Sequence, residues 1–92
     1  MKKSTRCLYH NQFTGFISDD VQSILGILCD GYHGDVQSTQ IEAWKSEIAL
    51  MKRVLLPYQS ESGKIIFEYD IPRLGKRIDV VLLLKGIIFC IE

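Results

Sequence analysis

The stretch KRIDVVLLLKGIIFCIE, residues 76–92, is the most informative about the fold because it contains two apolar runs separated by a short polar interruption. Both runs are rich in the β-branched and aliphatic residues that favour strands. Lys85 and Gly86, between them, have the composition of a tight turn, so the stretch predicts a β-hairpin. Two acids interrupt it, Asp79 in the first strand and Glu92 at the end. A buried carboxylate is costly unless it is paired or bound to a metal, which makes both acids candidate site residues.

The register of this hairpin depends on the length of its loop. With a two-residue loop, Leu84 lies opposite Ile87, and stepping outward from that pair brings Asp79 opposite Glu92. Directly opposed side chains lie about 5 Å apart on one face, where two like charges are destabilising. A divalent cation between them would reverse that cost. A three-residue loop with a glycine bulge also fits the sequence and would change the face of one strand's side chains, so both registers stay open.

Upstream of the hairpin, KIIFEYD (residues 64–70) predicts a third strand, because it is rich in isoleucine and aromatic residues. The following IPRLGKR bends the chain, since Pro72 cannot donate to a sheet and Gly75 eases a turn. The sequence therefore predicts a three-stranded antiparallel meander.

The first predicted helix begins at Ser18, which is a good N-cap, and Asp19 and Asp20 place negative charge where the helix dipole favours it. Apolar residues then recur at helical spacing until Gly31, which is predicted to end the helix. Residues 1–17 are predicted to form an extended lead-in.

The second predicted helix begins with a capping box of Thr39 and Glu42 and ends before Pro57. Its apolar residues cover about half of the helix circumference. Glu47 is the only charged residue within that arc and is predicted to face whatever the helix packs against. The other charged residues lie on the opposite side: Glu42, Lys45, Lys52 and Arg53.

Two helices followed by antiparallel strands predict an α+β fold, or an α/β fold of which only the front part is present. A chain of 92 residues is one domain, predicted over residues 18–92, near the lower size limit for independent folding. The hydrophobic fraction of 47% and charged fraction of 24% are typical of globular proteins. A net charge of zero excludes a general basic surface for nucleic acid but not a local basic patch.

The three cysteines, Cys7, Cys29 and Cys90, lack the paired spacing of a zinc site, and their odd number does not suggest a disulfide scaffold. No segment has the pattern of a signal peptide or the length of a membrane span. The sequence therefore predicts a soluble cytoplasmic protein with reduced cysteines and no membrane partner.

The pattern of acids resembles the PD-(D/E)XK nucleases, in which a helix acid, a strand aspartate and the glutamate of an E-x-K motif on the next strand bind Mg²⁺, and the lysine of that motif positions the attacking water. More specifically, FEYDIPRLGKRIDVVLLLKGIIFCIE resembles the N-terminal segment of the bacterial Schlafen-like DNA/RNA helicase family. FISDDVQSILGIL and TQIEAWKSEIALMKRVL are similar to the two leading helices of that family. The resemblance therefore runs over residues 16–92.

The resemblance implies the front part of a restriction-endonuclease-like fold, Mg²⁺ as cofactor, and nucleic acid as substrate, with DNA favoured over RNA. Asp79 and Glu92 would be catalytic metal ligands, and Glu47 would be the helix acid that assists them. A short basic cluster beside Asp79 would contact phosphates, although charge balance and solubility explain it equally well. That cluster consists of Arg73, Lys76 and Arg77.

The sequence also departs from the family. The E-x-K motif needs two residues after Glu92, and the chain contains no GxxxxGK[ST] P-loop for an ATPase domain. We therefore expect this chain to be an inactive N-terminal part of a longer, ATP-binding, helicase-linked protein. Two alternatives stay open: a non-catalytic module that binds nucleic acid or regulates, and a unit that self-associates through the open edge strand.

Overall fold

A computed structural model describes residues 6–32 and 34–91 of the chain. Within these residues, helices and an antiparallel sheet confirm the α+β class. The elements in chain order are strand β1 (Tyr9–Gln12), helices α1 (Phe13–Ser18), α2 (Val21–Gly31) and α3 (Ser38–Leu55), and strands β2 (Gly63–Ile71), β3 (Lys76–Leu84) and β4 (Ile87–Ile91). Short 3-10 helices occupy Leu56–Tyr58 and Pro72–Leu74. None of the described helices is long and apolar enough to cross a membrane.

In the described part of the chain, the sheet has four strands in the order β1-β2-β3-β4, rather than the three predicted from sequence. The additional strand is β1, which pairs antiparallel with β2 and places Tyr9 opposite Phe67. Helix α1 follows directly, and its Phe13 and Phe16 are fully buried. Strand β1 is itself extended, whereas residues 13–17 lie in helix α1, so the prediction of an extended lead-in over residues 1–17 is wrong for residues 13–17. A strand of four residues is too short to show a clear alternation of apolar and polar residues.

The β3–β4 hairpin has a two-residue loop, with Leu84 opposite Ile87 and Val80 opposite Ile91. Lys85 and Gly86 both have positive φ, 52° and 77°. Positive φ at both central residues defines the type I′ turn, whose twist matches that of the flanking strands. Of the two registers that the sequence left open, the described residues therefore adopt the one with a two-residue loop, and the three-residue loop is excluded.

The helix starts differ from the predicted ones. Helix α2 is capped by Asp20, whose side chain accepts a hydrogen bond from the Ser23 amide at 2.9 Å. Ser18 is not the N-cap because it is the last residue of α1, and the chain is extended at Asp19 before α2 begins. Helix α3 begins at Ser38, after Gln37, so Thr39 lies inside the first turn and the predicted capping box does not form.

The core lies between the three helices and one face of the sheet. Its largest fully buried side chains come from the three helices and from strands β2 and β3: Trp44, Phe13, Phe16, Phe67, Ile24, Leu28, Ile48, Ile65 and Val80. Helix α3 contributes the one tryptophan of the sequence, which packs edge-to-face against Tyr32 with ring centroids 5.5 Å apart. The Trp44 indole also donates a hydrogen bond to Glu68 on β2, which turns the face of α3 that carries Trp44 and Glu47 towards the sheet.

Candidate acidic site

Glu47 lies on the half-buried side of α3, between the fully buried Trp44 and Ile48. Its Oε1 atom is buried and has no hydrogen-bond partner within the described part of the chain. Burial raises the pKa of Glu47 to about 7, and the nearby carboxylates of Asp79 and Glu68 raise it further. Among the described residues, no cation forms an ion pair with Glu47, so nothing there opposes the rise of its pKa.

Asp79 is half-buried on β3, two residues after Arg77 and one before the fully buried Val80. Its negative charge is the largest electrostatic contribution to the raised pKa of Glu47, after burial. The structure thus brings two of the three acids singled out from sequence within electrostatic reach of each other. We call Glu47 and Asp79 the acid pair.

Glu68, on β2, is a third acid of this region that sequence analysis did not select. It is buried, with 7% of its surface exposed. The pairs Phe67–Val80 and Tyr69–Ile78 flank it, which places Glu68 level with Asp79 on the neighbouring strand. Its φ of 58° lies in the left-handed region, which a glutamate rarely adopts. A local distortion of β2 therefore occurs directly beside the acid pair.

The carboxylate of Glu68 contacts two other elements. Its Oε2 accepts a hydrogen bond from the Trp44 indole Nε1 at 3.2 Å. Its Oε1 lies 3.6 Å from Nη1 of Arg77 in a largely buried ion pair. Glu68 is therefore paired with a cation and hydrogen-bonded, whereas Oε1 of Glu47 has no hydrogen-bond partner among the described residues.

The three basic residues predicted to contact phosphates have different surroundings. Arg73, in the 3-10 helix Pro72–Leu74, and Lys76, at the start of β3, are both exposed. Arg77 is half-buried and pairs with Glu68. The structure thus brings Arg77 to the acidic region and leaves Arg73 and Lys76 on the surface.

A cleft of about 500 Å³ opens beside Glu68 and Arg77. Arg6 and Asp70 contribute to its polar wall and Ile27 to its apolar wall. The backbone amide of Asp70 donates to the carbonyl of Arg6, which extends the contact between β2 and the segment before β1. Of the residues selected from sequence, Arg77 lines this cleft, and Glu47 and Asp79 are not among its lining residues.

Glu92, the third acid predicted from sequence, lies outside the described residues. Within residues 6–32 and 34–91, no group of three or more His, Cys, Asp or Glu side chains is arranged to hold a metal ion. Mg²⁺, however, retains several waters and is commonly held by one or two carboxylates. Among the described residues, Glu47 and Asp79 are two carboxyl groups within electrostatic reach of each other, and Oε1 of Glu47 has no hydrogen-bond partner there.

Glu68 was not predicted as a site residue because the alternation of strand β2 suggested a solvent-facing side chain. In KIIFEYD, Glu68 stands between two aromatic residues, and regular alternation of a strand would place it on the face away from Phe67. Its left-handed φ interrupts that alternation, and its side chain reaches Trp44 of α3. An available signal was the acid itself inside an apolar strand, which is the same signal that selected Asp79.

No known protein family, no curated protein and no solved structure matches this chain. A functional proposal for this chain therefore depends on the geometry of the acid pair and on the sequence motifs that resemble those of the PD-(D/E)XK nucleases.

Proposed function

We propose that the chain is the front part of a metal-dependent, PD-(D/E)XK-like nuclease domain that acts on nucleic acid phosphodiesters. One observation carries the proposal: a buried carboxylate oxygen of Glu47 has no hydrogen-bond partner among the described residues, and this carboxylate lies within electrostatic reach of a second one, Asp79. Such an arrangement is unfavourable in the free protein, and a divalent cation removes the unfavourable repulsion. Repulsion between carboxylates in the absence of the ion is typical of cation-binding sites, because their ligands are held close together before the ion binds.

In this proposal Glu47 and Asp79 hold Mg²⁺, and Glu92 completes the ligand set in the way that the family resemblance implies. Bound Mg²⁺ would polarise a phosphate oxygen and lower the pKa of a bound water. Arg73 and Lys76 are exposed and available to hold the phosphate backbone without reading its sequence. DNA is the favoured substrate, and the parent protein is a cytoplasmic helicase-linked ATPase.

Mg²⁺ titration of the protein by isothermal calorimetry tests this proposal. We expect saturable binding by the wild type, and we expect Asp79→Asn to weaken the affinity at least tenfold because a charged ligand is lost. Asp70→Asn is the matched control, since Asp70 is also a half-buried acid of the same sheet. Absence of Mg²⁺ binding by the wild type, or equal losses in both variants, would contradict the proposal.

The second candidate function is a non-catalytic nucleic-acid-binding module, favoured by the exposure of Arg73 and Lys76. It predicts DNA binding that weakens with salt, needs no Mg²⁺ and is lost in Arg73→Ala and Lys76→Ala variants. The nuclease proposal instead predicts that Asp79→Asn retains DNA binding while it loses Mg²⁺. Fluorescence anisotropy with labelled DNA, with and without Mg²⁺, distinguishes the two functions.

A further inference from the structure

Glu68 combines two unfavourable features that normally do not occur in a strand residue. Its backbone is in the left-handed region, with φ of 58°, and its carboxylate is buried. A strained conformation persists only when surrounding contacts determine it, and such residues cluster at functional sites. The contacts that hold Glu68 in this conformation therefore indicate its role in the protein.

The two oxygens of Glu68 contact two different elements. Oε2 accepts the indole N–H of Trp44 on α3, and Oε1 pairs with the guanidinium of Arg77 on β3. Helix α3 also carries Glu47, and strand β3 also carries Asp79. Glu68 thus connects the helix and the strand that together form the acid pair.

Both contacts lie close to the acids in sequence. Trp44 precedes Glu47 by three residues, and residues three apart are neighbours on one face of a helix. Arg77 precedes Asp79 by two residues, and alternate residues of a strand point to the same side. A movement of α3 at Trp44 would therefore move Glu47, and a movement of β3 at Arg77 would move Asp79.

We propose that Glu68 is a positioning residue that fixes the separation of Glu47 and Asp79 by holding Trp44 and Arg77 at the same time. The inference rests on the proposed function, because the acid pair is the site that Glu68 positions. Glu68 contacts neither the metal nor the substrate in this role. Its effect passes through the two residues that its carboxylate binds.

Trp44→Phe tests the inference because it removes the indole N–H while it keeps an aromatic ring and every charge. If Glu68 positions the acid pair, Mg²⁺ affinity measured by calorimetry falls at least tenfold, as is typical when outer contacts of metal ligands are lost. Glu68→Gln, which keeps an acceptor for Trp44 but not the charge that pairs with Arg77, should also weaken the affinity. Unchanged affinity in folded Trp44→Phe overturns the inference.

Glu61→Gln is the matched control. Glu61 also forms an ion pair at 3.6 Å, with Lys85, but this pair is exposed and lies at the turn between β3 and β4. We expect this variant to bind Mg²⁺ like the wild type. An equal loss of affinity in Glu61→Gln would mean that removal of any paired acid has the same effect, which overturns the positioning role.

A second readout needs no metal and separates this inference from the proposed function. Crystal structures of the wild type and Trp44→Phe, both without metal, give the separation of the Glu47 and Asp79 carboxylates. A change of more than about 0.5 Å, the tolerance of a preorganised site, supports the positioning role. An unchanged separation overturns it, whether or not the wild type binds Mg²⁺. Absence of Mg²⁺ binding in the wild type contradicts the proposed function alone.

Discussion

Lys52 shows how tertiary contacts change the role of a single residue. Helical periodicity places it among the charged residues on the side of α3 opposite the apolar arc. Its ammonium nonetheless donates to the carbonyl oxygens of Phe16, Ile17 and Asp19, and lies 4.7 Å from the centre of the Phe16 ring. These carbonyls surround the C-terminus of α1, where the helix dipole favours a cation. Burial lowers the pKa of Lys52, and Asp19 and Asp20 oppose that shift. Lys52 thus joins α3 to α1.

Glu47 leads to a prediction at the same scale. Its pKa is raised from 4.5 to about 7 in the folded protein, chiefly by burial. Between these two values the folded state binds more protons than the unfolded state, so the free energy of unfolding falls as pH rises through this window. Below pH 4.5 both states are protonated and this destabilisation is absent. Glu47→Gln is neutral at every pH, so its stability advantage over the wild type should grow from pH 4.5 to 7 and then level off.

Urea unfolding of both proteins at several pH values, in the presence of a metal chelator, measures this difference. Glu42→Gln is the control, since Glu42 is an exposed acid of the same helix that pairs with Lys45 at the surface. We expect the Glu42→Gln difference to show little dependence on pH above 5, because exposed ion pairs contribute little. A pH-independent difference for Glu47→Gln would disprove the assigned environment of Glu47.

At the scale of an element, the β3–β4 turn is held by a residue that does not favour its conformation. Lys85 has a φ of 52° at the first central position of the type I′ turn, where asparagine is preferred. Lys85→Asn should therefore stabilise the protein by roughly 0.5–1 kcal/mol, because the left-handed conformation is less costly for asparagine. The lost ion pair with Glu61 is exposed, so it offsets little of the gain.

Thermal unfolding of Lys85→Asn checks this prediction. Lys64→Asn is the control, because Lys64 is an exposed lysine in strand β2, where asparagine is unfavourable. We expect that variant to be slightly destabilised. A Lys85→Asn variant that melts below the wild type would argue against the type I′ turn.

At the scale of the whole molecule, β4 is an edge strand of the described sheet and all five of its residues are exposed. Ile88 is 65% exposed and Phe89 46%, so the strand offers an unpaired backbone edge with apolar side chains. Exposed apolar edges of this kind pair with other chains. We therefore expect two copies of the chain to associate through β4, as the open-edge interpretation of the sequence predicts.

Ile88→Lys should reduce this association, since a lysine on an edge strand opposes pairing. Sedimentation equilibrium over a wide range of protein concentration measures the average mass. Leu74→Lys is the matched control, because Leu74 is 66% exposed but lies in the 3-10 helix Pro72–Leu74, before β3. A wild type that is monomeric at every concentration would contradict the prediction, as would an equal effect of both variants.

Local patterns in the sequence were sufficient to predict several features of this protein. Apolar periodicity located α2, α3 and the strands β2 to β4, and Lys85-Gly86 predicted the hairpin turn, because these patterns depend on neighbouring residues alone. The same patterns selected Glu47 and Asp79, since an acid within an apolar run is conspicuous in any sequence.

Features that depend on contacts between distant residues could not be predicted from the sequence and are seen only in the folded structure. The four residues of β1 become a strand because β2 offers an edge for pairing, and Lys52 becomes a bridge because α1 ends beside α3. Glu68 is buried because its left-handed backbone turns the carboxylate towards Trp44 and Arg77, and no local pattern encodes that conformation. The physical reason is common to all three: a backbone edge, a helix end or a buried charge finds its partner in another part of the chain, which periodicity does not reveal.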